Sequence, residues 1–404
     1  MIRSLIHSIL IWIVTLGVAG ADDASKALQY LNTLRFKSGL VKFEPSQALQ
    51  KAARAHARYL IKHQDGGHYE SVGKSGFTGT TPSERVLAAG YFSKAVMENV
   101  SVNTDTPEES IDTLMAAIYH RLIFLNFEKD EIGIAQASKK EKKGFFSASV
   151  YDLGSKKANA LCKEHHMMQS GVYYLQNICK DSQKCIPQYL YLDQEAQVRK
   201  KNNPVVHYPY EGQQNVQPAF FEESPDPLPG YKVSGFPISI QFNPAYYHQV
   251  DLKRFELFDS NSHQSKKIII NEKNDIHHRF SSLQFALMPL QRLEYGMDYR
   301  VIFEAVVDGK PFKKVWSFST LKPKGKLYKI TQNKSRIEVK KGEKVVLYFE
   351  PKHKKDVLDC VTHTRGMKIE CIDQNTLAIT LPEDFEDRTD TLITGNRSVM
   401  LLID

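Results

Sequence analysis

TPEESIDTLMAAIYHRLIFLNFEKDEIGIA, residues 106–135, contains the change of period that decides the fold. Thr106-Pro107-Glu108-Glu109 is a capping box: a hydroxyl acceptor at the N-cap, Pro at the first helical position, and Glu three residues after the cap. Behind it Ile111, Leu114, Met115, Ile118 and Leu122 form an apolar stripe at helical spacing, which must face a core. At Glu131 the helical period stops. Glu131–Ala135 and Phe145–Tyr151 are short apolar runs on either side of the polar stretch 139–144, which predicts a hairpin.

Reading back toward the N-terminus, Thr81-Pro82-Ser83-Glu84 is a second capping box. Leu49, Ala52, Ala53, His56 and Leu60 repeat at helical spacing after Pro45-Ser46, and Leu28, Leu31 and Leu34 do so before it. Residues 24–154 therefore read as helices followed by strands, one α+β domain. Ahead of it, Arg3, the apolar run Ile9–Val18 and the small residues Ala19-Gly20-Ala21 have the form of a secretory leader over 1–21. Its apolar core of about ten residues falls short of the ~20 a spanning helix needs, and no later stretch reaches that length. The expectation is an exported chain, periplasmic or extracellular, with no transmembrane segment once the leader is gone.

Toward the C-terminus, 155–203 shows no clear period and reads as an irregular, cysteine-containing connector. From Pro204 the pattern becomes β-like: Phe236–Phe242 alternates cleanly, and Asp308-Gly309 between Tyr299–Val307 and Phe312–Phe318 is a hairpin signal. Ile337-Glu338-Val339, Val345–Phe349 and Leu377–Leu381 alternate again. Short strands separated by turns predict two β-sandwiches, over 204–323 and 326–404.

The 404 residues, 42% hydrophobic and 25% charged with 22 Gly and 17 Pro, exclude collagenous or wholly disordered classes. Of the net charge of +8, the segment 322–355 alone carries +9, from eleven Lys and Arg336 against three Glu. This run has almost no aromatic or Arg readers, so no nucleic-acid partner is expected. The lysines suit guarded strand edges, and the alternative is attraction to an anionic envelope surface. Five cysteines in an exported chain point to disulfides. Cys360 and Cys371, eleven apart in a β-rich segment, are expected to pair, and Cys162 is assigned to Cys179, which leaves Cys185 over.

The order of short motifs over 28–151 resembles the CAP superfamily (cysteine-rich secretory, antigen 5 and pathogenesis-related 1 proteins; the SCP domain), in its bacterial extracellular branch. The residues that carry the resemblance are Leu31-Asn32-Thr33-Leu34-Arg35, Ala52–Ala57, His68 after Gly66-Gly67, and Thr81–Arg85. They continue with Glu98-Asn99-Val100, His120-Arg121 and Glu131-Ile132-Gly133-Ile134. The resemblance implies an α-β-α sandwich whose cleft is lined by His68, Glu98 and His120, with Asn99 and Arg121 as ligand-binding neighbours. Two imidazoles and a carboxylate can hold Zn²⁺, with His68 and His120 as ligands, or act as base and acid around a water. Met97 and Tyr119 stand where the family has Gly, and Leu114 where it has a helix Trp. The family's second acid has no clear counterpart; Glu109 is the nearest, yet its capping box already gives it a structural role. Tyr299 and Trp316–Thr320 give the 204–323 region a likeness to the immunoglobulin-like modules that often follow bacterial CAP domains.

Other residues read more plainly. His56 and His63 are core or boundary histidines, His165-His166 lies in a solvated loop, and Ser147 and Ser149 lack a nucleophile elbow. The leading functional expectation is a non-enzymatic binder of a small apolar, lipid-like or peptide ligand at the bacterial envelope. The alternatives are a metal-dependent hydrolase using the His/His/Glu set and an envelope adhesion or scaffold protein.

Overall fold

A computed structural model describes residues 21–139, 144, 146–359, 361–362 and 366–404. The leader read over 1–21 lies outside them except for Ala21, which opens the first helix. The described chain forms two compact units. One is built from residues up to Thr33, Lys42–Leu114 and Glu128–Val198, and the other from Leu34–Val41, Met115–Phe127 and Arg199–Asp404.

In chain order the first elements are α1 (Ala21–Ser38), β1 (Glu44–Pro45), α2 (Gln47–His63), α3 (Pro82–Ala88), β2 (Met97–Val102), α4 (Pro107–Ala116), α5 (Ile118–Phe124), β3 (Glu131–Ser138) and β4 (Ser147–Gly154). The sheet of the first unit runs β1-β3-β4-β2, with β1 parallel to β3 and the others antiparallel. The predicted hairpin is β3–β4, closing at the Ser138–Ser147 pair. Every residue of β4 is buried, as a strand covered on both faces must be. On one face Ala53, Ala57 and Leu60 of α2 pack against Ala135, Ala137, Ala148 and Val150. On the other, Tyr151 donates from its hydroxyl to Ser110 Oγ of α4 at 2.9 Å. This is the expected helix-sheet-helix layering.

Both capping boxes form. Thr81 accepts from the Glu84 N–H while the Glu84 carboxylate returns to the cap. At the second, Thr106 Oγ1 accepts from the Glu109 N–H (3.1 Å), and Glu109 Oε2 accepts from the Asp105 N–H (2.8 Å). The apolar stripe behind it is buried as expected, but the single helix it predicts is two. The backbone turns extended at Ala117 (φ −81, ψ 114), and α5 starts anew.

The segment expected to be irregular carries α6 (Lys156–Leu161), a two-strand ribbon of β5 (Tyr174–Leu175) and β6 (Ile186–Pro187), and α7 (Gln188–Arg199). Helix α7 buries only Gln194 and Val198, which is why no apolar period announced it. Cys162 and Cys179 form the assigned disulfide with a Cα–Cα distance of 5.4 Å, beside the buried Ile186. Cys185 is free. Of the pair expected between Cys360 and Cys371, Cys371 is a free, exposed thiol, and Cys360 lies outside the described residues.

The second unit contains two sandwiches. In the first, β7 (Val205–Tyr208), β11 (Ile238–Phe242), β14 (Gln284–Pro289) and β13 (Lys267–Ile270) form one sheet. The other sheet is β8 (Gln213–Val216), β16 (Lys310–Thr320), β15 (Asp298–Val307) and β12 (Val250–Asp259). The short strands β9 (Ala219–Phe220) and β10 (Ser234–Gly235) pair beside them. Phe242, Phe255, Phe285, Phe303 and Trp316 meet in its core. The β15–β16 turn is Asp308-Gly309, both at positive φ (46 and 78), the backbone a two-residue hairpin of this hand requires. In the second sandwich, β17 (Lys326–Ile330), β19 (Lys344–Phe349), β22 (Thr376–Thr380) and β21 (Lys368–Asp373) face β18 (Lys334–Val339), β24 (Arg397–Ile403), β23 (Thr389–Thr394) and β20 (Val361–Thr362) across a core that includes Leu347, Phe349, Ile379 and Leu401.

Candidate functional site

In the first unit, charged side chains gather where α2, the loop after it, α3 and the β2–β4 pair meet. His56 is fully buried on α2. Its Nδ1 is 2.9 Å from Glu70 Oε1 and its Nε2 is 3.0 Å from the Gly67 carbonyl. The other Glu70 oxygen accepts from the Thr78 N–H at 2.7 Å. His68 Nδ1 is 2.9 Å from Glu98 Oε1, and Arg85 Nη2 donates to Glu98 Oε2 at 2.5 Å. Arg85 also donates to the His68 carbonyl at 2.9 Å, so one guanidinium holds both the carboxylate and the loop that presents the imidazole. Asp152 stands directly opposite Glu98 across the β2–β4 ladder and is fully buried.

Burial alone would raise the Glu98 carboxyl. The His68 hydrogen bond and the charges of Arg85 and His56 outweigh it and hold Glu98 below the usual carboxylate range. Glu70 is held low in the same way, against burial, by His56, the Thr78 N–H and Arg85. Asp152 goes the other way: burial first, then the neighbouring Glu98 carboxylate, push it well above its ordinary value. The cluster thus contains two acids held low, one acid pushed up and one permanent cation.

The pH dependence follows from these directions. Between the unfolded pKa of Asp152 (~3.9) and its raised folded value, unfolding releases a proton, so the stability this group allows is fully present at low pH and is lost as pH rises. Glu70 and Glu98 contribute oppositely, above their unfolded values (~4.3), and their contribution is lost as pH falls through the lowered folded values. Asp152→Asn mimics the protonated acid. It is expected to stabilise the full chain progressively more between pH 4 and pH 7 in urea melts, by upward of about 1 kcal/mol at pH 7, since a tenfold change in proton affinity on folding corresponds to about 1.4 kcal/mol. A gain that does not grow with pH would contradict an upward-shifted Asp152.

The remaining sequence-derived candidates are placed as follows. His68 and Glu98 are brought together, and His68 is the open edge of the cluster, its side chain 36% exposed against 1% for Glu98. Asn99 is buried on β2 opposite Tyr151. Glu109 is occupied by its capping box. His120 lies in the second unit, where its Nδ1 is 2.8 Å from Glu223 Oε2. Glu223 also accepts from the Tyr119 N–H, so it caps α5, whose own N-cap Ala117 has no side-chain acceptor. Tyr119, in place of the family's Gly, packs edge-on to Phe280 and His277 and donates from its hydroxyl to Asp275. Among the described residues Arg121 anchors no carboxylate. Fully buried, it donates to the carbonyls of Met115 (2.6 Å) and Pro237 (2.7 Å) and lies against the Tyr208 and Phe236 rings. Burial lowers its guanidinium to about 9, still charged at neutral pH. His166 bonds the Leu161 carbonyl, a loop contact rather than half of a metal pair.

Glu70, Arg85 and Asp152 were missed as cluster members. The available signal was an Asp inside an otherwise apolar or small-residue strand, Ser147–Gly154. As a zinc centre the first-unit cluster does not fit: both Glu98 oxygens are committed to His68 and Arg85, and among the described residues no group of three or more His, Cys, Asp or Glu is arranged to hold a metal ion.

A helix-sheet-helix domain with a His–Glu–Arg cluster, followed by two β-sandwiches, is the class these observations define. Residues 28–151 match the model of the cysteine-rich secretory protein family, so the chain carries a CAP domain there. Among solved structures it is similar to an outer surface protein from Borrelia burgdorferi, at 19% identity over 35% of this chain and 100% of that one, with a TM-score of 0.31. It is also similar to the fibronectin(III)-like modules of Clostridium thermocellum CbhA, at 11% identity over 50% of this chain and 94% of that one, with a TM-score of 0.17. No curated protein matches the chain. Among the described residues no helix is long and apolar enough to cross a membrane.

Proposed function

We propose that the chain is an exported, non-enzymatic binding protein of the bacterial envelope. In this reading residues 1–21 are its leader, the CAP domain of 24–154 takes a small apolar, lipid-like ligand, and the sandwiches of 204–323 and 326–404 position it. The observation that carries the reading is the closure of the acid cluster. Glu98 is clamped between Arg85 and His68 and shielded from solvent, Glu70 is held by His56 and Thr78, and Asp152 is fully buried with its carboxyl pushed well above the ordinary range. Both Glu98 and Glu70 are thus engaged by partners within the cluster rather than poised on a water, as a hydrolase would need.

A site for an apolar ligand is available in the same unit. A groove of about 220 Å³ is lined by Ala24, Leu28, Pro45, Ile132 and Ile134, where α1, the start of α2 and β3 meet. That size suits an acyl segment rather than a whole folded peptide. The test is titration of the chain from Asp22 onward with cis-parinaric acid, followed by fluorescence, alongside p-nitrophenyl ester hydrolysis with and without added zinc. Saturable binding weakened at least tenfold by Leu28→Asp, with no ester turnover above buffer, is the expected result. Zinc-dependent turnover abolished by Glu98→Gln would overturn the reading in favour of a hydrolase, and binding indifferent to Leu28→Asp would remove the groove.

A further inference from the structure

Within the second unit, the two sandwiches enclose a cleft of about 430 Å³ between the loop before β13, the segment after β14, and the turn after β19. Lys266, Arg292, Lys352 and Lys354 line it, together with Glu294 and Glu350. The two carboxylates share one cation, Lys329 Nζ lying 2.7 Å from each, so together the three groups leave a single negative charge against the cleft's other cations. Arg292 is satisfied electrostatically, donating to Asp373 at 2.6 Å and held between the Tyr295 and Tyr348 rings, although its buried Nε–H finds no acceptor among the described residues. That leaves three lysines with no carboxylate partner among the described residues. Lys352 donates to the neutral Asn333 side chain, Lys354 rests its ammonium 4.7 Å above the Tyr231 ring, and Lys266 is exposed at the rim. Two lysines of the 322–355 segment, Lys352 and Lys354, are thus brought to a concave site that Lys266 from the first sandwich completes.

We infer that this cleft binds an acidic oligosaccharide. Its volume is that of a drug-sized ligand and far exceeds a single inorganic oxyanion. Its walls set the lysines beside the aliphatic faces of Val233, Leu290 and Pro351, a mixture that suits a sugar ring bearing carboxylates. A nucleic acid would need free aromatic faces for stacking. Here Tyr348 is buried under Arg292 and the Tyr231 face is covered by Lys354.

The experiment is calorimetric titration of the full chain in 0.15 M salt with trigalacturonate, maltotriose, inorganic phosphate and triglutamate. Two double variants are compared: Lys352→Glu with Lys354→Glu in the cleft, and Lys334→Glu with Lys340→Glu on exposed strand ends outside it. Circular dichroism confirms that both fold. Trigalacturonate is expected to bind saturably, at least tenfold more weakly in the cleft variant and within twofold of wild type in the other, while maltotriose does not bind. Equal weakening in both variants would reduce the effect to diffuse surface charge and overturn the site. So would the absence of trigalacturonate binding, or binding of phosphate or triglutamate as tight as that of the sugar.

Discussion

Arg85→Met is expected to destabilise the CAP unit by about 3–5 kcal/mol, the range for removing one partner of a buried ion pair. Arg85 is fully buried, pairs with Glu98 at 2.5 Å, lies 3.9 Å from Glu70, and holds the His68 carbonyl. Met fills much of the volume but leaves two buried carboxylates facing a third acid. With the cation gone, burial acts on Glu98 with less opposition and its folded pKa moves up from its lowered position. The stabilisation that ionised Glu98 gives the wild type above its unfolded value shrinks accordingly, so the variant's loss is greatest at neutral pH. Urea melts of the full chain at pH 4 and pH 7 should show a gap between variant and wild type that is wide at pH 7 and narrow at pH 4. A loss below about 1 kcal/mol at pH 7, or a gap indifferent to pH, would show that the cluster is solvated rather than sealed.

Gly133→Ala is expected to cost about 3 kcal/mol, the upper end of overpacking, because the clash is with backbone rather than with a side chain that can swing away. A Cβ at residue 133 would overlap the backbone of Leu49 and Gln50 in the first turn of α2. The helix cannot retreat, since its start is pinned to β3: Pro45 pairs with Ile132, and the Ser46 N–H donates to the Ile132 carbonyl at 2.8 Å. Calorimetry of the full chain should show the transition of the CAP unit lowered, with that of the sandwiches unmoved. An unshifted CAP transition would mean that the helix sits further from the sheet than these positions require.

Much of the fold was legible because it rests on local signals. Each capping box satisfies its own helix start, and Asp308-Gly309 is a turn by its own backbone preferences. The α2 stripe was visible because burial on one face imposes its spacing on the chain. The break at Ala117 was not, because Ile118 and Leu122 continue the stripe in phase. Their burial partners, Phe220, Leu228 and Met288, lie a hundred residues or more further along. Helix α7 was missed for the opposite reason, having too few buried positions to show a period.

The candidate site divides along the same line. His68 and Glu98 could be named from motif order, and His56 could be read as an interior histidine from its place in the α2 stripe. The buried stripes were likewise determined by the sequence itself, through chain-local spacing. What only the tertiary structure decided is which charges meet. Arg85 finds Glu98, Asp152 stands across a strand register from it and so is pushed well above its ordinary value, Glu223 reaches α5 from a hundred residues away, and three lysines converge on one cleft. Charge pairing and desolvation depend on distances through space, and those distances are set by strand register and packing that no short stretch of chain contains.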